Sequence, residues 1–207
     1  MKYYAHSLEG RPPSEWQDLE EHLLSVADSA AKFAALFGGE EWARLAGLWH
    51  DIGKYSNEFQ HMLYEANGIE SHLETKPGRP IHSQAGGHLA QQKLANGLDR
   101  VFCWLIMGHH AGLADYSTEV TGAKALSPKM VSPDASAEIL KKVPDEIKNQ
   151  PTPPAPNLLR NGADVSFFIR MLFSCVVDAD FLDTEAFMDK DRGQLRNETT
   201  PRLTELL

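Results

Sequence analysis

The sequence has little cysteine, no long apolar run, few strand signals and no excess of basic charge. Its two cysteines, Cys103 and Cys175, lie inside apolar stretches with no metal-type pairing. That excludes a disulfide scaffold and a thiolate zinc site, and leaves two buried reduced thiols. No stretch approaches the ~20 continuous apolar residues of a membrane helix. The opening MKYYAHSLEG has no apolar signal-peptide core, so a cytoplasmic protein with no membrane contact is expected. Lys and Arg number 20 against 29 Asp and Glu, a net charge of −9. Such a chain does not hold nucleic acid mainly through a broad basic surface. A carboxylate-rich site for divalent cations remains compatible with it, because bound ions invert the field that a phosphate meets.

What is present is helical. With 42% hydrophobic and 24% charged residues, residues 1–207 read as one globular domain. SEWQ fits a capping box that starts a first helix at Ser14, ending at Gly38-Gly39. Trp16, Leu19, Leu23, Val26, Ala30, Phe33 and Phe37 mark its buried stripe, on which His22 also sits. A second helix runs from about Glu41 and stops at Gly53, with His50-Asp51 at its end. A third follows Ser56 as N-cap, with Phe59, Met62, Leu63 and Ala66 inward. NGIESHLETKPGRP reads as a loop, and HSQAGGHLAQQKLANGL and DRVFCWLIMGHHAGL are helical again. Residues 113–163 lose periodicity and carry the proline cluster QPTPPAP, so a long loop or partly disordered insertion is expected, interrupted by one short helix in ASAEILKKV. DVSFFIRMLFSCVVDADFLDTEAFM is apolar almost all round and reads as a central last helix.

Histidines and acids gather at helix ends and on apolar faces: His22, His50, Asp51, His82, His109, His110 and the DAD of 178–180. A lone histidine on an apolar face is ordinarily a hydrogen-bonded core residue. The adjacent His109-His110 pair does not fit that explanation, since helix neighbours point about 100° apart. Ionised aspartate is almost never buried without a partner. Imidazole and carboxylate ligands without thiolate suit manganese, cobalt, nickel, iron or magnesium better than structural zinc. An aspartate has two oxygens and can bridge two such ions, which together can activate water and clamp a phosphate.

In this order, HDIGK, HSQAGGH, GHHAG and DADFLD resemble the HD superfamily of metal-dependent phosphohydrolases. With AHS at 5–7 and WQDLEEHL at 16–23, the chain from about His6 to Glu185 is similar to the HD nuclease domain of the CRISPR-associated nuclease-helicase of type I systems. The resemblance implies an all-α helical domain with its irregular insertion between the HH pair and the last core helix. It also implies two divalent ions, one among His22, His50, Asp51 and Asp180, the other among Asp51, His82, His109 and His110. Asp180 fits the Ala-Asp pattern of the superfamily, whereas Asp178 lies about 200° away on the helix and reads as a surface or supporting carboxylate that only a shifted alignment would make the ligand. Asp51 is the expected bridge. Lys54 is either a phosphate contact or a cation at its own helix's negative end.

The same resemblance implies cleavage of single-stranded DNA, nicking and then degrading a strand displaced by an RNA-guided surveillance complex and fed by a superfamily-2 helicase. The chain has no G-x-x-x-x-G-K-[ST] stretch of its own. It therefore reads as a separate nuclease subunit or an excised N-terminal domain, the ending TPRLTELL favouring the latter. The alternative is an HD phosphohydrolase acting on nucleotides or cyclic dinucleotides. A helical scaffold with a structural ion is disfavoured, because seven candidate ligands exceed what one such ion uses.

Overall fold

Asp18, not Ser14, begins the first long helix. Its Oδ1 accepts the backbone N–H groups of Glu20 and Glu21, satisfying two of the donors that a helix start leaves open. The computed structural model describes residues 2–71, 73, 82–131, 136–154, 156 and 160–197. In it Pro13–Glu15 form a single 3-10 turn, and strand β1 (Tyr4–His6) pairs antiparallel with β2 (Gln17–Asp18). Trp16 is extended, with φ −77° and ψ 153°. That carries its indole off the expected stripe and into a small cluster with Tyr4, Phe59 and Leu63.

Apart from this hairpin the described fold is all-α. Helix α1 spans Leu19–Ala34, α2 Glu40–Trp49, α3 Asn57–Ala66, α4 Ser83–Lys93 and α5 Leu98–Gly108. Four one-turn helices follow: α6 (Thr118–Thr121), α7 (Leu126–Lys129), α8 (Ala137–Leu140) and α9 (Asp145–Lys148). The chain closes with α10 (Gly162–Met188) and α11 (Lys190–Asn197). None of the described helices is long and apolar enough to cross a membrane.

Helix α1 packs between α2 and α10, and α4 packs on α5. Leu19, Leu23, Val26, Ala30 and Ala34 fill the first of these contacts. Ala34 takes the buried place that the spacing assigned to Phe33, which is 39% exposed. In α3, Ser56 is the N-cap as expected, its Oγ accepting from Phe59 N–H. Phe59 and Leu63 are buried, but Met62 and Ala66 face outward. Helix α10 is not central. Phe168, Leu172, Cys175, Val176 and Ala179 bury one side, while Phe167 and Phe181 face solvent at 66% and 63% exposure.

Helix α2 ends four residues earlier than Gly53, at Trp49, and Ile52–Tyr55 form a 3-10 turn. Gly53 is needed for space and does not stop a helix: a Cβ there would lie 1.9 Å from the carbonyl oxygen of His82. A Cβ on Gly86 would lie 2.0 Å from that of Trp49. These two approaches press α4 onto the segment that carries His50 and Asp51.

Residues 113–163 differ from the expected loop. Leu126, Leu140, Val143 and Ile147 are buried. Trp42 Nε1 donates to Pro154 O and Trp49 Nε1 to Ile147 O, both at 2.8 Å. The one expected helix exists as α8, with three further single turns around it. Single turns are too short to leave a 3.6-residue pattern, and carbonyl capture by a distant indole leaves no local signal. The expected 67–80 loop falls largely outside the described residues, and His72 wholly so.

Gly86→Ala is expected to lower stability by about 2 kcal/mol, because the new methyl first meets the Trp49 carbonyl, which is backbone and cannot swing aside. Urea denaturation measures this; an unchanged midpoint would contradict the contact.

Candidate metal centre

Five elements deliver their ends or faces to one point. Helix α1 brings His22, the end of α2 brings His50 and Asp51, and the residue before α4 is His82. The end of α5 supplies His109 and His110, and α10 supplies Asp180. Each of the seven expected ligands is therefore in the same place. One donor atom from each of His22, His50, Asp51 and Asp180 lies within 4.8 Å of the others, and the same holds for Asp51, His82, His109 and His110. Asp51 belongs to both groups. Asp178 is exposed and belongs to neither.

Hydrogen bonds at the far nitrogen orient three of the imidazoles. His50 Nδ1–H donates to Gly47 O and His109 Nδ1–H to Ile106 O, each at 2.6 Å. His22 Nδ1–H donates to Asp183 Oδ2, also at 2.6 Å. Carbonyl and carboxylate oxygens only accept, so Nδ1 carries a proton in each and Nε2 is the nitrogen turned inward. Those Nε2 atoms and both Asp51 oxygens are buried with no hydrogen-bond partner. Buried acceptors without donors are costly. Imidazole nitrogens and carboxylate oxygens that converge yet leave one another without hydrogen bonds are the donor set of a cation, so the residues present fit divalent metal.

The distances agree with that reading. Asp180 Oδ1 stands 3.5 Å from both His22 Nε2 and His50 Nε2, and Asp51 Oδ1 3.4 Å from His109 Nε2. His82 Nε2 and His110 Nε2 are 2.8 Å apart. Burial opposes charge on His50, yet the Asp51 and Asp180 carboxylates push its pKa up to about 10. Burial would raise the Asp51 carboxyl, but Lys54 and His50 outweigh it and hold it well below the usual range. His110 is pushed down to about 4 by burial and by His109. Burial likewise lowers His82. Both are neutral imidazoles at neutral pH, the form that ligates.

Lys54 is not at a solvated helix end. It is buried, its Nζ 2.7 Å from Asp51 Oδ2 as an ion pair outside hydrogen-bond geometry. Nζ also donates to His6 Nε2 over 3.3 Å. His6 Nδ1 in turn meets Gln17 Oε1 at 2.7 Å, and Gln17 Nε2 donates to Asp183 Oδ2 at 2.7 Å. A polar chain thus runs from Lys54 around to the carboxylate that orients His22. Asp183 and Gln17 escaped the sequence reading. Asp183 stands three residues after Asp180, on the same helix face, and that spacing was the available signal. His88 pairs with Ser136 Oγ and Lys129 O, and His61 with Ser71 and Glu65, all away from the centre.

The arrangement is that of a metal-dependent hydrolase built between helices. Residues 19–141 match the HD domain family, and that span is more than half of the chain, which therefore belongs to the HD superfamily of metal-dependent hydrolases. No curated protein matches the chain.

Asp51→Ala is expected to abolish binding at both donor groups, because each loses its shared oxygen. Elemental analysis reads metal per chain; full occupancy in the variant would refute the bridging role. Metal affinity is also expected to rise with pH. In the metal-free protein His50 keeps its proton up to about pH 10, and an arriving ion must displace it. One proton released means up to about tenfold in affinity per pH unit below that value. Calorimetric titration across neutral pH tests this; an affinity flat with pH would contradict it.

Proposed function

We propose that the chain is a two-metal nuclease that cleaves single-stranded DNA, the nuclease component of CRISPR interference of the type I kind. The observation that carries the chemistry is Asp51, a buried carboxylate with both oxygens open to opposite donor groups. His22, His50, Asp51 and Asp180 would hold one ion, and Asp51, His82, His109 and His110 the other. Two ions bound there supply Lewis-acid activation of water and charge compensation at a phosphodiester.

The protein's own residues do the rest. His22, His50 and His109 keep their orientation through Nδ1, so no ligand must rotate when the site is loaded. Lys54 lines the cavity beside Asp51 and places a positive charge where a phosphate oxygen or a departing oxygen gains negative charge. The low exposure of this ammonium strengthens that interaction.

The substrate reading is supported by the cavity in front of the centre, of about 320 Å³. Beyond the candidate ligands its walls carry His6, Lys54, Val177, Phe181 and Thr184. A nucleotide hydrolase needs groups that read a base edge or a ribose, whereas phosphodiester cleavage in a strand needs the phosphate alone. The ordered motifs from AHS to DADFLD support the CRISPR assignment, and with it a superfamily-2 helicase and an RNA-guided surveillance complex as partners. The acidic net charge of −9 suits a nuclease that receives a delivered strand and does not capture DNA by itself.

With manganese, cobalt or nickel the purified chain is expected to nick circular single-stranded DNA and then degrade it. Chelator is expected to stop the reaction, and Lys54→Met to lower kcat about a hundredfold with metal content retained. Inert single-stranded DNA alongside rapid hydrolysis of nucleotides would overturn the nuclease reading and favour the nucleotide one.

A further inference from the structure

A second cavity, of about 420 Å³, opens near the start of α10. Trp104 and Tyr116 border it on one side, and Ser166, Ile169 and Arg170 on the other. Tyr116 is 40% exposed. Its ring is tilted against the Trp104 indole at 5.9 Å between centroids, and the Arg100 guanidinium lies 4.6 Å over it. Trp104 Nε1 donates to Ala114 O at 2.8 Å, which ties the polar edge of the indole. Arg100 and Arg170 are exposed, and neither has a carboxylate at ion-pair distance among the described residues. Arg170 and one acid, Asp115, border the cavity, and Arg100 adds a second guanidinium beyond the Tyr116 ring.

This cavity and the metal centre share a helix face. Ser166, Ile169, Phe173, Val177, Asp180 and Thr184 follow one another at intervals of three and four, which places them in one line along α10. Ser166 and Ile169 line the second cavity; Val177, Asp180 and Thr184 line the first. Phe173 stands between them against Gly108, whose Cβ position is 3.5 Å from its ring. From Arg170 to Asp180 is about 15 Å along the axis, the reach of a few nucleotides of single strand.

We propose that the second cavity is a binding subsite for the same DNA strand, set a few nucleotides from the bond that is cut. A base packs against the exposed part of the Tyr116 ring beside Trp104, while Arg170 at the cavity wall and Arg100 beyond the ring hold the adjoining phosphates. Stacking of this kind is indifferent to sequence, since every base has a π-face, and it requires an unpaired base. Guanidinium suits phosphate because it donates two parallel hydrogen bonds. The inference rests on the single-stranded DNA reading given above, and gives that reading a physical source of substrate choice that the acidic chain otherwise lacks.

The test compares wild type with the Tyr116→Ala/Arg170→Ala double variant, both loaded with manganese. Two substrates are used: a long oligothymidylate, and bis(p-nitrophenyl) phosphate, which engages the metal centre alone. The double variant is expected to raise KM for the oligonucleotide about tenfold while kcat and the hydrolysis of the small diester stay unchanged. Tyr116→Phe, which keeps the ring, is expected to retain the wild-type KM. An unchanged oligonucleotide KM in the double variant, or an equal loss on the small diester, overturns the subsite. Wild-type protein that hydrolyses the small diester but leaves the oligonucleotide intact sinks the single-stranded DNA reading itself, and the subsite with it.

Discussion

A carboxylate sealed from water with neither oxygen hydrogen-bonded is the constraint on which this structure turns. Asp51 is fully buried, and the nearest positive charge, on Lys54, meets only one of its oxygens. Isolated in a protein interior, such a charge would be expelled or neutralised. Here the neighbouring imidazoles share its demand. Lys54 and a charged His50 compensate it in the absence of metal, and cations with neutral imidazoles compensate it in their presence. The two conditions exchange protons for metal ions around one fixed anion, so the helices need not move between them.

The segment that carries Asp51 is fixed in space by backbone. Helix α2 ends at Trp49, the turn Ile52–Tyr55 follows at once, and α4 is pressed against both through Gly53 and Gly86. The same approach sets His82 beside the HD pair. The imidazoles are oriented in turn by carbonyl oxygens of their own helices, Gly47 for His50 and Ile106 for His109. Helix ends leave such carbonyls without intrahelical partners. A histidine placed there satisfies one of them and points its other nitrogen away from the helix.

The clustering of these seven side chains was legible because such residue types stand out in the sequence: HD and HH at helix ends and AD on a helix face are conspicuous against apolar neighbours. Helix existence was legible for the same reason, from long apolar stripes. Boundaries were not. The start at Ser14 had a capping box, yet Asp18 won because β2 pairing needs residues 17 and 18 extended. Phe33 and Met62 fitted a stripe by spacing, but where a stripe ends is decided by which neighbour covers it. Asp183 and Gln17 act through partners far along the chain, and no local pattern announces a hydrogen bond across such separations. The close approach at Gly86 was hinted at by its Gly-Gly pair; that at Gly53 was hidden by its resemblance to a helix stop.

The indole donors of Trp42 and Trp49 bear on how anything reaches the centre. Both belong to α2, and both are spent on carbonyls of the segment after α9 or at its end. Lifting that segment would strand two indole N–H groups, at about 1–3 kcal/mol each, and strip Leu140, Val143 and Ile147 from the core. It is a buttress behind the HD pair, unsuited to opening and closing with each turnover. The exposed flank of α10 where Phe181 projects lies on the other side of the centre, and a substrate of the proposed kind that crossed it would require no unlocking of the fold.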